Sequence, residues 1–267
     1  MSMYSQEHIT YLKREKRRTR LIRLTQVLIL FGFIFIWELV ARMEWINTFI
    51  TSSPSQIIQT IAQLYRDHNL FNNIWVTIYE TFVSFGLSTI IGIGLATILW
   101  WNQFTAKVFD PYLTIFNSLP KVSLGPVIII WIGATTNSII FMAILITVII
   151  SIMNVYEAFI NTDKNKIRLF QSFKATKRQI FTGVVLPSSL KAIINTLKIN
   201  VSLSLVGVIM GELLVSKAGI GYLIMYGSQV FNLNLVVTGI FILAIVATIM
   251  YYAIVLFEKK LKLEKIS

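Results

Sequence analysis

Cysteine is absent from the 267 residues, which removes disulfide frameworks, thiolate metal sites, haem attachment and thiol nucleophiles. Charge is scarce as well. Asp, Glu, Lys and Arg make up 13% of the chain, about half the share of an ordinary globular domain. Histidine occurs only as His8, in a tail, and His68, in a loop remote from it, so neither a metal centre nor a triad is expected. HExxH and GxSxG motifs are missing, and no GxxxxGK[ST] loop is present to cradle phosphates, so the chain does not hydrolyse ATP by itself. No cofactor is expected. What remains is apolar: 55% of the residues are hydrophobic and the mean hydropathy is +0.72. Such a chain faces lipid or other apolar helices over most of its length.

A spanning helix needs about 20 mostly apolar residues. Six such runs occur, near 21–43, 74–99, 108–132, 136–156, 192–214 and 235–257, which predicts an all-α polytopic membrane protein. The organisation expected is a basic segment at 1–20, a six-helix membrane domain at 21–257 and a basic tail at 258–267. The first run lacks a small-x-small cleavage site and reads as a retained helix. Asp110, Pro111, Pro120, Lys121, Gly125 and Pro126 interrupt the third run, and such breaks survive at membrane depth only where protein or a wet cavity satisfies the freed backbone. Between the first two runs, Ser52-Ser53-Pro54-Ser55 followed by Ile57, Ile58, Ile61 and Leu64 predicts a capped amphipathic helix on the outer face.

The net charge of +12 needs a location. With both termini in the cytoplasm, 19 of the 24 basic residues fall on the inner side, the arrangement that the positive-inside rule favours. The surplus is a topology signal, and nucleic-acid binding is not expected, because no basic cluster has a groove-reading or aromatic context. Seven of the inner basic residues lie in one long cytoplasmic segment, 157–191.

Within the runs, Ser84, Ser88, Gly92 and Ala96 repeat every four residues, and Gly207 with Gly211 forms a GxxxG; both patterns predict close helix packing. Gly219 and Gly221 suit a helix end and an outer turn. Lys121 would cost about 2.5–3.5 kcal/mol facing lipid. An ion pair with Glu80 or Glu212, or snorkelling of the side chain if the helix shifts in register, is the expected arrangement, with attraction of an anionic solute as the functional reading. Glu38 is expected to be paired or interfacial.

In the long segment, Ile167, Phe170, Phe173, Lys177 and Arg178 alternate with polar residues at near-helical spacing, and Pro187 can start the next helix. That pattern serves either an interfacial helix pair on anionic lipid or a docking element offering apolar knobs to a groove. The segment resembles the coupling loop of permease subunits of bacterial ABC importers, whose pattern is Glu-Ala-Ala, three residues, Gly, nine residues, Ile, any residue, Leu, Pro. Leu186 and Pro187 match, Val184 stands for Ile, Lys174-Ala175 takes the Gly-Ala position, and Arg168, Leu169 and Phe170 replace Glu-Ala-Ala. Ser118 to Pro126 with Ile130-Trp131-Ile132-Gly133 resembles the broken third helix of nitrate, sulfonate and taurine permeases. Gly211-Glu212-Leu213-Leu214 and Gly219 to Ile224 resemble the end of that branch's fifth helix and the turn beyond it.

The resemblance implies the type I importer permease fold, a permease homodimer, two cytoplasmic ATPase subunits under the coupling loops, and an extracytoplasmic solute-binding protein. It implies ATPase coupling by Phe170, Ser172, Phe173, Lys174, Ala175, Thr176, Leu186 and Pro187. It also implies a pathway or gate role for Pro120, Lys121, Glu80, Gly211 and Glu212. The expected solute is small and anionic, such as a sulfonate, taurine or nitrate, carried across a bacterial cell membrane. An ion-coupled secondary carrier, or a permease for a pyrimidine-type vitamin precursor, is the alternative; paired half-repeats with buried coupling carboxylates, which a carrier usually shows, are not detected.

Overall fold

In a computed structural model, which describes residues 6–67 and 69–260, every regular element is helical. His68 and the tail residues Lys262 and Lys265 lie outside the described residues. The chain opens with α1 (Gln6–Arg42), a short α2 (Thr48–Thr51) and α3 (Pro54–Arg66). It continues through α4 (Asn69–Trp101), α5 (Gln103–Ser118), a 3-10 turn (Lys121–Leu124), α6 (Gly125–Ile132) and α7 (Thr136–Ile160). Beyond α7 come α8 (Lys164–Ser172), α9 (Lys177–Ile180), a π turn (Phe181–Val185), α10 (Leu186–Val215), α11 (Ile220–Gln229) and α12 (Leu233–Lys260).

Five helical stretches are long and apolar enough to cross a membrane: 14–42, 69–101, 136–160, 177–215 and 233–260. The third expected run is no straight span. It is a pair of helices, 103–118 and 121–132, bent by 85°. The proline chemistry explains the break. Leu119 precedes Pro120 and is driven into the extended region (φ −67°, ψ 138°), which ends α5. The other helices overrun their apolar runs by several residues, because capping and polar contacts prolong a helix past the point where hydropathy falls.

The core is a triad of α4, α7 and α10, with α11 and α12 packed against α10. Small residues set the approach. A Cβ on Gly207 would lie 2.6 Å from the Ala143 backbone, one on Gly211 2.9 Å from Ile139, and one on Gly92 within 2.5 Å of the Ser151 side chain. The stripe of Ser84, Ser88, Gly92 and Ala96 is fully buried, so both small-residue patterns are packing faces within one chain. Polar groups cross-link the triad: Asn200 Nδ2 donates to Thr89 Oγ1 (3.2 Å) and Ser151 Oγ (3.1 Å), and Thr147 and Ser204 hydroxyls meet at 3.3 Å. Lys198 on α10 pairs with Glu258 on α12 at 2.7 Å, the partner that makes a lysine tolerable in a spanning helix.

Ser53 caps α3, as its Oγ accepts from the Gln56 N–H, and Ile57 is buried while Ile58 faces out. The amphipathic helix therefore forms where the sequence places it. Glu38 is paired as expected, with Arg42 at 2.7 Å, and its other oxygen accepts from the Ser55 N–H at 3.1 Å, tying the end of α1 to α3. Elsewhere α1 lies almost free of its own chain, with 6% of its apolar window buried.

Candidate functional site

One end of the bundle carries α8, α9 and the π turn. Asp163 caps α8 by accepting from the Asn165 N–H, and α8 closes in a Schellman motif: Lys174 N–H bonds to the Gln171 carbonyl and Ala175 N–H to the Phe170 carbonyl. Lys174 holds the left-handed position at φ 58°. This is where the importer pattern has glycine, and the geometry supplies the reason, since a Cβ in that conformation costs roughly 1–2 kcal/mol. Lys174→Gly is expected to stabilise the protein by about 0.5–1 kcal/mol, net of glycine's greater freedom in the unfolded chain. Thermal unfolding of the detergent-solubilised variant checks it.

Thr176 then caps α9 in a reciprocal box with Gln179: Gln179 Oε1 accepts from the Thr176 N–H at 2.8 Å, and Thr176 Oγ1 accepts from the Gln179 N–H. Pro187 lacks an N–H, and its ring would crowd the carbonyl of Gly183 in a regular helix. The chain answers with the wide π turn, in which the Leu186 N–H reaches back to the Phe181 carbonyl. Gly183 leaves room for Phe170, whose ring carbon would lie 3.0 Å from a Cβ placed there. Ile167, Phe170, Ala175 and Leu186 thus pack inward on a core of Val155, Phe159, Ile180 and Val185. Leu169 and Phe173, one turn apart, point outward with 55% and 76% exposure. Of the expected coupling residues, then, Phe173 is displayed, whereas Phe170 and Leu186 brace the segment from behind. Leu169 was not among those expected. Its i, i+4 spacing to Phe173 was the available signal.

The opposite end holds the second cluster. The first N–H groups of α11 need acceptors, and α4 and α10 supply them. Gly219 N–H donates to Asn73 Oδ1 (2.7 Å), Ile220 N–H to Thr77 Oγ1 (2.8 Å) and Gly221 N–H to Glu212 Oε2. The Thr77 hydroxyl passes its own hydrogen to Glu212 Oε1 at 2.6 Å. A carboxylate at a helix N-terminus also meets the positive end of the helix dipole. Gly219 and Gly221 therefore begin α11; α10 itself ends earlier, at Val215. Glu80 lies beside Glu212, fully buried, with neither carboxylate oxygen making a hydrogen bond. Asn73 and Thr77 were missed in the sequence, although Asn73, Thr77 and Glu80 fall on one face of α4 in an otherwise apolar run.

The expected ion pair of Lys121 with Glu80 or Glu212 does not form. The only ion pairs among the described residues are Glu38–Arg42 and Lys198–Glu258. Lys121 Nζ instead folds back on α5, donating to the Asn117 carbonyl (3.1 Å) and Oδ1 (3.4 Å). The physical reason is proximity: the last carbonyls of α5 lack intrahelical donors, and a lysine just past the helix end satisfies them. Lys121 sits half-exposed at the 85° bend, beside Pro120. Glu80, Gly211 and Glu212 are all enclosed within the chain.

Spanning helices around a small-residue core, one broken span and a protruding amphipathic segment without a phosphate-binding loop define a multi-pass transport subunit. The family model described as the inner membrane component of binding-protein-dependent transport systems matches residues 88–263. The chain belongs to that family: it is the permease subunit of an ABC importer, a multi-pass inner membrane protein and not an ATPase. It is 29% identical over 219 residues to the formylaminopyrimidine transport permease protein ThiX of Halalkalibacterium halodurans, covering 82% of this chain and 87% of the relative. It is 24% identical to the putative aliphatic sulfonates transport permease SsuC of Bacillus subtilis (85% and 83% covered). With the taurine permease TauC of Escherichia coli it shares 22% (85% and 84%). In fold it resembles a chain of the MetNI methionine ABC transporter in an inward-facing conformation, with a TM-score of 0.62 at 20% identity over 70% of this chain and 94% of the other. Membership in this family sets aside the ion-coupled carrier.

Proposed function

We propose that the chain forms, as a homodimer, the membrane pathway for a small organic anion of the sulfonate and taurine class. The solute is handed over by an extracytoplasmic binding protein, and ATP is hydrolysed by partner subunits docked under α8 and α9. Both termini lie in the cytoplasm in this reading. The exposed Leu169 and Phe173 support the docking: two large apolar side chains standing side by side on a basic, otherwise polar segment suit a groove in a partner. Phe170, Ser172, Lys174, Ala175, Thr176, Leu186 and Pro187 hold that pair in place.

The anionic solute rests on Lys121, a half-exposed cation at the break in the membrane with no carboxylate bonded to it. A second reading, a formylaminopyrimidine-type solute, is favoured by the 29% identity to the ThiX permease against 22–24% for the sulfonate and taurine relatives. Uptake into proteoliposomes holding the complete transporter and its binding protein separates the two. If the solute is an anion, taurine or an alkanesulfonate accumulates, and Lys121→Met lowers the uptake rate about tenfold, the loss of roughly 1.4 kcal/mol of attraction. Accumulation of an aminopyrimidine, with Lys121→Met indifferent, would establish the second reading instead.

A further inference from the structure

Lys177, the first residue of α9, is fixed to the end of α4. Its Nζ donates to the carbonyl of Trp101, the last residue of α4, and stands 5.7 Å from the ring centroid of Trp100 and 5.9 Å from that of Trp101. Two attractions act together there. The last carbonyls of a helix carry unsatisfied acceptors and the negative end of its dipole, and an indole face attracts a cation within about 6 Å. Phe181, one turn further on, meets Trp100 at 4.9 Å, Trp101 edge-on at 5.9 Å and Phe159 of α7 edge-on at 5.4 Å.

The segment on the other side of this contact is tied together internally. The Schellman turn, the Thr176–Gln179 box and Phe170 seated on Gly183 bind α8, α9 and the π turn to one another. Trp101 is followed at once by Asn102, whose side chain caps α5 by accepting from the Phe104 and Thr105 N–H groups. The far end of α5 leads directly into Pro120 and Lys121, whose Nζ bonds back to Asn117.

We infer that Lys177, seated on Trp100 and Trp101, is a positioning residue that makes the α4–α5 corner, and through α5 the break at Lys121, follow displacements of the α8–α9 segment. This inference rests on the docking of an ATPase under that segment. Without Lys177 the segment would meet the α4–α5 corner only through the rings of Phe181 on Trp100 and Trp101, a contact with no charge or hydrogen bond to hold its register. Lys177 is exposed, and its ammonium is directed at the end of α4.

The test uses the assembled transporter in proteoliposomes with its binding protein. Lys177→Met keeps the stem and loses both the charge and the donor; Lys177→Arg keeps both. Lys177→Met is expected to retain the ATPase subunits at wild-type ratio and to hydrolyse ATP, while solute imported per ATP falls at least fivefold and Lys177→Arg recovers most of it. In this cysteine-free chain a spin label on Lys107→Cys reports α5 directly, and its ATP-dependent change should vanish with Lys177→Met. Unchanged import per ATP, or a label that still responds, would overturn the inference, as would loss of the ATPase subunits from Lys177→Met alone. A wild-type chain that retains no ATPase would instead overturn the docking reading, and the two failures are therefore distinct.

Discussion

Replacing Phe173 by aspartate is expected to abolish ATP-driven uptake while leaving the permease folded. Phe173 is 76% exposed at the end of α8, so the change empties no cavity and breaks no internal contact. At an interface the same position counts heavily. A central aromatic anchor is typically worth 2 kcal/mol or more, about a 30-fold loss of affinity, and a buried carboxylate without a partner adds to the cost. Copurification should show the ATPase subunit lost from Phe173→Asp and weakened by Leu169→Ala, with unfolding temperatures like the parent's. Retention of the ATPase subunit with normal uptake would place docking elsewhere. Ala175→Arg offers a contrast. Its backbone N–H closes the Schellman turn and its side chain faces the Phe159 core, so a long cation there should disturb the segment itself and lower stability as well as coupling.

The second large effect lies at the other end of the bundle. Gly219 has φ +117°, and a Cβ there would stand 2.3–2.6 Å from the carboxylate of Glu212. Gly219→Val therefore combines a disfavoured backbone with a clash against the group that anchors α11, for a cost of about 3–5 kcal/mol. Glu212→Ala removes the acceptor of the Thr77 hydroxyl and the Gly221 N–H and should cost about 2–3 kcal/mol. Because the clash needs the carboxylate, the double variant should be less damaged than the sum, with a coupling of about 1–2 kcal/mol. Thermal unfolding in detergent across the four proteins measures it. Strict additivity would mean that the backbone conformation alone excludes the side chain.

Much of the fold was legible because membrane helices state their packing faces in small residues. The Ser84 to Ala96 stripe and Gly207 with Gly211 could be assigned from spacing, as could the Ser53 cap of α3 and the weakness of the third span at Pro120. The site was legible only as a region. Which of Leu169, Phe170 and Phe173 faces outward depends on how the π turn sets α9 under α7, a tertiary matter that periodicity over nine residues does not encode. The misjudged partner of Lys121 has a similar origin. Opposite charges in neighbouring spans suggest pairing, but the nearer, orphaned carbonyls at the end of its own helix compete for the ammonium first. Glu212 was read as a partner for Lys121 or a gate residue because its actual partners, a backbone N–H and a threonine, carry no charge pattern to find.

The wide turn at Phe181–Val185 has a geometric consequence for the whole stretch from Lys177 to Val215. Each α-helical residue advances the azimuth by about 100°, so the one surplus residue carried by this turn sets the angular phase of α9 relative to α10. Lys177 meets Trp101, and Phe181 fits among Trp100 and Phe159, only at that phase. Chain length at the turn is thus held more strictly than residue identity. Exposed Thr182 can vary in chemistry, whereas the loss or gain of a single residue there would swing the segment to a different side of the bundle.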